Sequence, residues 1–112
     1  MLRAVDRIEM LRGFITVNPK DPFPRYGLAL ELKNRGLLDE ASGEFTNLMT
    51  QFPDYTAAYL HAGNVERERG ERARAGEIYQ RGIDVCGRRG DGHALAELQS
   101  ALANLQQEGG ED

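Results

Sequence analysis

The sequence predicts an all-α fold built from stacked pairs of antiparallel helices, and three observations carry that expectation. Apolar residues recur at three-to-four-residue spacing in one segment after another, and no segment alternates as a strand would. The stretch GLLDEASGEF, residues 36 to 45, returns as GERARAGEIY from residue 70. Each begins with Gly, carries Ala in sixth place and ends on an aromatic ring, and they start 34 residues apart. Gly and Pro punctuate the helical segments at the spacing of short turns. A lone pair of such helices presents more apolar surface than it can bury, so the pairs must stack.

The elements follow in order. From Pro24 to Arg35 the apolar positions Leu28 and Leu32, with Tyr26 and Leu30, have helical spacing. The preceding KDPFP supplies a start: Asp21 can accept from free backbone N–H groups, and Pro22 fits a first turn where its missing N–H costs nothing. Gly36 ends this helix, because Gly enters the left-handed conformation without the clash of a β-carbon. A second helix places Leu38, Ala41, Phe45, Leu48 and Met49 on one face and stops at FPD, residues 52 to 54. Asp54 or Thr56 is positioned to cap a third helix, which carries Tyr59, Leu60, Ala62, Gly63 and Val65 and ends at Gly70. A fourth, with Ala75, Ile78, Tyr79, Ile83 and Val85, is expected to end near Gly87, and DGHALAELQSALANL reads as one more.

Composition excludes several function classes. A chain of 112 residues is one domain with a modest core. No apolar run approaches the roughly 18 residues of a membrane span, and charges interrupt the N-terminal segment where a signal peptide would be apolar. The single cysteine, Cys86, suits a reducing compartment, so a cytoplasmic location is expected. A net charge of -4 argues against nucleic-acid binding. Residues 61 to 90 hold seven Arg, but Glu66, Glu68, Glu71 and Glu77 interleave with them at spacings that allow helical ion pairs. Residues 91 to 112 hold five acids and no Lys or Arg, and 107 to 112 read as a disordered acidic tail.

Catalytic and cofactor motifs are missing from the sequence. His61 and His93 lie in different helices with no convergent ligand spacing, so no metal is expected. Cys86 reads as a buried structural thiol, since a helix C-terminus disfavours a thiolate. Asp39 and Glu40 sit at a helix start, where the macrodipole favours negative charge. No glycine pattern forms a phosphate loop. Neither an enzyme nor a cofactor is expected.

These residues resemble the tetratricopeptide repeat (TPR) family. Leu28, Ala29, Leu32, Gly36, Ala41, Phe45 and Pro53 stand in its consensus roles in residues 22 to 55, as do Tyr59, Ala62, Gly63, Gly70, Ala75 and Tyr79 in residues 56 to 89. Carried upstream, the frame puts Leu11 in the aromatic's slot, Phe14 beyond it and Pro19 at the stop, which makes residues 2 to 19 a half repeat. Residues 91 to 106 look like a capping helix, closing a single domain over 1 to 106. The pattern is broken by Arg25, with Tyr26 beside it, and by Glu66, each where a ring is usual, and by Gly87 in place of the closing Pro.

The resemblance implies a helical-hairpin solenoid whose first helices line a concave groove for a peptide or helix of a partner protein. The groove residues it implies are Phe23, Tyr26, Leu30 and Lys33 from the first unit, with Leu60, His61, Asn64 and Arg67 from the second. Some members clamp a chaperone's C-terminal carboxylate. Here Tyr26, Leu30 and Leu60 stand where most of the clamp's polar groups belong, so that ligand is not expected. The competing expectation is a homodimer joined through the groove or through Leu95, Leu98, Leu102 and Leu105, which are spaced like a coiled-coil seam.

Overall fold

The structure, a computed structural model, describes residues 6–109. It contains α1 (Arg7–Val17), α2 (Pro22–Asn34), α3 (Leu38–Gln51), α4 (Ala57–Glu68), α5 (Arg72–Arg89) and α6 (Gly92–Gly109), with no strand among the described residues. Each helix packs on the next, and α4 also touches α2 and α6. The chain is therefore a helical-hairpin solenoid, with α2–α3 and α4–α5 as its full units. Residues 2 to 5 of the expected first helix lie outside the described residues.

The start signals act as their chemistry dictates at two helices. Asp6 accepts from the Ile8 N–H at 2.7 Å and Asp21 from the Phe23 N–H at 3.0 Å, so each carboxylate satisfies a donor that the helix leaves unpaired. At α4 the expectation fails. Thr56 makes no cap bond to the backbone; its hydroxyl instead donates to Asp91 Oδ2 at 2.8 Å, tying the start of α4 to the start of α6. Asp54 is spent on Arg89, at 3.7 Å.

The helix ends share one device. Gly36, Gly70 and Gly90 have φ of +77°, +82° and +74°, and after each the next N–H bonds back across the turn. The pairs are Leu37 to Leu32 (3.0 Å), Glu71 to Glu66 (2.8 Å) and Asp91 to Cys86 (3.0 Å). Gly36 and Gly70 are where the sequence placed them. The end of α5 is not: Gly87 stays helical and Gly90 makes the turn, because Val85 and Cys86 belong to the buried face and the last turn runs past them. α6 likewise continues to Gly109, three residues beyond the expected boundary at 106, and 110–112 of the acidic tail lie outside the described residues.

The core is a continuous column of rings and small residues. Phe45 and Tyr79 occupy equivalent places in the two units, 1% and 0% exposed, and Ala41, Ala75, Ala58, Ala62 and Gly63 let the helices approach them. A β-carbon at Gly63 would lie 2.3 Å from the Tyr79 ring, so only Gly fits that crossing. Full burial of each ring or Leu contributes about 1.5–3 kcal/mol. Leu98 and Leu105 of α6 are buried, with Leu95 and Leu102 partly buried against the same core. The leucine stripe thus covers α5 from inside the monomer.

Candidate partner-binding face

α2, α4 and α6 lie side by side, and between α4 and α6 run two adjoining clefts. The first, of about 280 Å³, is bounded by Tyr26, Leu60, His61, Asp91, His93 and Glu97. The second, of about 470 Å³, takes Leu60, Asn64 and Arg67 from α4 and Glu97, Ser100 and Asn104 from α6. Leu60, His93 and Glu97 belong to both.

Helical period explains the array. Leu60 and His61 lie four and three residues before Asn64, which lies three before Arg67, so all four share a side of α4, as Phe23, Tyr26, Leu30 and Lys33 do on α2. The structure brings Tyr26, Leu60 and His61 together, with the Tyr26 and His61 ring centroids 6.0 Å apart. Leu30 is half-buried against the core. Phe23 stands apart, 69% exposed in the first turn of α2 and in neither cleft.

Two of the expected groove residues already have partners within the chain. Asn64 Oδ1 accepts from the Tyr79 hydroxyl, and Arg67 pairs with Glu108 near the end of α6. His61 differs: its Nδ1 is buried with no hydrogen-bond partner. Burial pushes the His61 pKa below 6.5, the nearby Lys33 charge lowers it further, and Glu97 partly opposes them. A neutral imidazole is therefore favoured, offering one donor and one acceptor. Burial raises the Tyr26 pKa, with a further push from Glu97, so its hydroxyl stays protonated.

Among the described residues no group of His, Cys, Asp and Glu could hold a metal ion. Cys86 is buried, and that burial, with the Asp91 charge, raises its thiol pKa. Among the described residues no helix is long and apolar enough to cross a membrane.

No protein-family model and no curated protein matches the chain. Solved structures do. A tetratricopeptide repeat domain protein from Salinibacter ruber, solved in solution, is 32% identical, covers 80% of this chain and 91% of its own, and superposes with a TM-score of 0.76. The chain belongs to the tetratricopeptide repeat family. A Bordetella parapertussis protein at 23% identity, covering 96% and 91% of the two chains with a TM-score of 0.79, shares the fold. So does the TPR2B domain of yeast Sti1 in its complex with pHsp70, at 17% identity, 90% and 81% coverage and a TM-score of 0.83.

Within this TPR frame the irregular positions acquire physical roles. Glu66, where a ring is usual, is 2% exposed and compensated on every side. It accepts from the Ser42 hydroxyl at 2.6 Å and from Arg69 at 2.9 Å, and Arg74 lies 3.4 Å away. Arg25 bonds the Pro19 carbonyl, and Tyr26 packs its ring 5.4 Å from Tyr55. Of the glutamates expected to pair within the Arg-rich segment, Glu66 does so, with Arg69 and Arg74, while Arg69 also meets Asp39 at 3.0 Å and Arg67 meets Glu108, so the arginines are held largely by residues of other helices.

Sequence reasoning missed Tyr55 and the whole contribution of α6. His93, Glu97, Ser100 and Asn104 bound the clefts, yet α6 does not keep the repeat consensus, so the frame gave no reason to assign it a groove face. The available signal was Asp91, which accepts from the Ala94 N–H at 3.2 Å and starts the helix as an N-cap does.

Proposed function

We infer that this TPR chain is a non-catalytic protein-interaction module that holds an extended peptide or a helix of a partner protein across α2, α4 and α6. The observation that carries the reading is the pair of adjoining clefts between α4 and α6, which share Leu60, His93 and Glu97, with the Tyr26 and His61 rings lining one of them. The apolar faces of Tyr26 and Leu60 there would take an aliphatic or aromatic side chain. The yeast neighbour bound to pHsp70 supports peptide binding by this fold. The buried Cys86 thiol fits a reducing, cytoplasmic setting.

Capture from an extract of the source cell, with immobilised chain and mass-spectrometric readout, tests the reading. Wild type should retain a protein that the double variant Tyr26→Ala, Leu60→Asp loses, while Asn47→Asp, exposed on α3 and in neither cleft, retains it. An identical captured set for all three would overturn the groove assignment. Both groove residues are half-buried, so circular dichroism must first show that the variant is folded.

A further inference from the structure

Every helix in the stack plays one of two parts. α2, α4 and α6 are first helices of a unit, and α3 and α5 are second helices. α1 is also a second helix: Leu11 packs against Gly27 of α2, and Arg12 reaches Glu44 of α3 at 4.0 Å. Among the described residues α1 therefore lacks a first helix and α6 lacks a second.

The surface of α1 records this. Met10, Phe14 and Val17 share one side of the helix and are 40%, 53% and 85% exposed. In the 34-residue frame, Phe14 corresponds to Leu48 and then to Gly82, both buried. Two repeats on from Met10 and Val17 stand Ile78 and Val85, 3% and 6% exposed, whereas one repeat on stand Glu44, half-buried, and Gln51, exposed. The Phe14 position is thus buried in both later second helices, and the Met10 and Val17 positions are apolar and buried in α5.

The opposite end offers the matching space. A cleft of about 650 Å³ opens between α5 and α6, bounded by Ala73, Gly76, Gln80, Leu102 and Leu105, with the charged Arg72 and Glu77 on its α5 side. One repeat earlier the equivalent place is filled. Thr46, in the frame position of Gln80, accepts from Arg74 of the first turn of α5 at 3.1 Å. The cleft is where the second helix of a next unit would begin. Charge agrees: the first twenty residues carry four basic and two acidic side chains, and the last twenty-two carry five acids and no Lys or Arg.

We propose that copies of this chain join head to tail, α1 of one copy entering the α5–α6 cleft of another, where the second helix of a further unit would lie. The stripe of Met10, Phe14 and Val17 meets Leu102, Leu105 and Ala73, and the basic head faces the acidic tail. The contact is heterologous, so each added copy leaves one head and one tail open, and the product is a string of copies. One helix face buries an area at the small end of specific interfaces, so association is weak and, being charge-assisted, weakened further by salt.

Sedimentation velocity on the 112-residue chain tests this over about a hundredfold range of concentration, at low and high salt. The average mass should rise with concentration and fall with added salt. Phe14→Asp removes the head and Ala73→Glu blocks the tail; each alone should stay monomeric with unchanged circular dichroism. Mixed, they retain one good head and one good tail between them and should form a pair and nothing larger. A monomer at every concentration, association that survives in either variant, or a mixture that forms no pair would each overturn the proposal.

Discussion

Tyr79 fills the space that a side chain at Gly63 would need, so the usual ranking of residues in helices is inverted there. Replacing Gly by Ala inside a helix ordinarily gains about 1 kcal/mol. Gly63→Ala should instead cost about 1–3 kcal/mol, because its β-carbon would enter the buried ring. Gly43 in α3 has open space around it, and Gly43→Ala should stabilise by about 0.5–1 kcal/mol. Urea denaturation of the two variants measures both signs. Glu66 is a second residue whose role differs from its consensus place. Glu66→Ala strips the partner from Ser42, Arg69 and Arg74 and should cost about 1–3 kcal/mol, since the arginines keep some contact with water. His61 adds a pH dependence whose sign follows from its lowered pKa. Between that value and 6.5 the unfolded chain holds a proton that the folded chain does not, so stability falls as pH drops through this window. His61→Asn should remove that part of the acid-side loss, which denaturation at about pH 7 and about pH 5 compares.

At the scale of helices, the turn after α5 separates what the sequence shows from what it hides. Gly36 and Gly70 were legible because each follows a helical run and precedes a new one in the repeat frame, and both adopt positive φ. Near residue 90 the chain offers Gly87, Gly90 and Gly92 in quick succession. Composition cannot choose among them; the choice falls to the burial of Val85 and Cys86, a tertiary fact. Gly87→Ala should therefore stabilise by about 0.5–1 kcal/mol, while Gly90→Ala, forced into the left-handed region, should cost about 1 kcal/mol. Equal costs at both positions, read from chemical denaturation, would return the helix end to Gly87. The candidate face was legible to the same depth. Tyr26, Leu60 and His61 follow from helical period and the repeat frame, whereas the hydrogen bond of Asn64, the ion pair of Arg67 and the polar residues of α6 depend on how α6 lies across α4. Leu98 marks where that crossing is anchored. It is 0% exposed, and Leu98→Ala should cost about 2–5 kcal/mol by opening a cavity between α5 and α6.

The whole molecule measures 56 × 31 × 20 Å and is connected along one direction, which decides how it opens. In such a stack a helix is held chiefly by its neighbours, so stability is a sum of unit and interface contributions that runs out at the ends. α4 and α5 have neighbours on both sides. α1 is held on one side, contributes only Leu11 to the buried core, and closes its contact with α3 through an exposed Arg12–Glu44 pair. Such exposed pairs contribute about 1 kcal/mol or less. α6 is also terminal, yet it buries both Leu98 and Leu105 and is tied to α4 through Thr56–Asp91 and Arg67–Glu108. Native-state hydrogen exchange should accordingly rank the amides: α1 opens first, α6 next, and α4 with α5 last, near the global unfolding limit. Exchange followed by mass spectrometry at low protein concentration gives that order directly. Uniform protection from α1 to α6 would contradict stability that accumulates unit by unit. Raising the concentration under the same conditions should slow exchange in α1 and along the α5–α6 cleft, because a docked copy supplies each end with the neighbour it lacks, and Phe14→Asp should abolish that added protection.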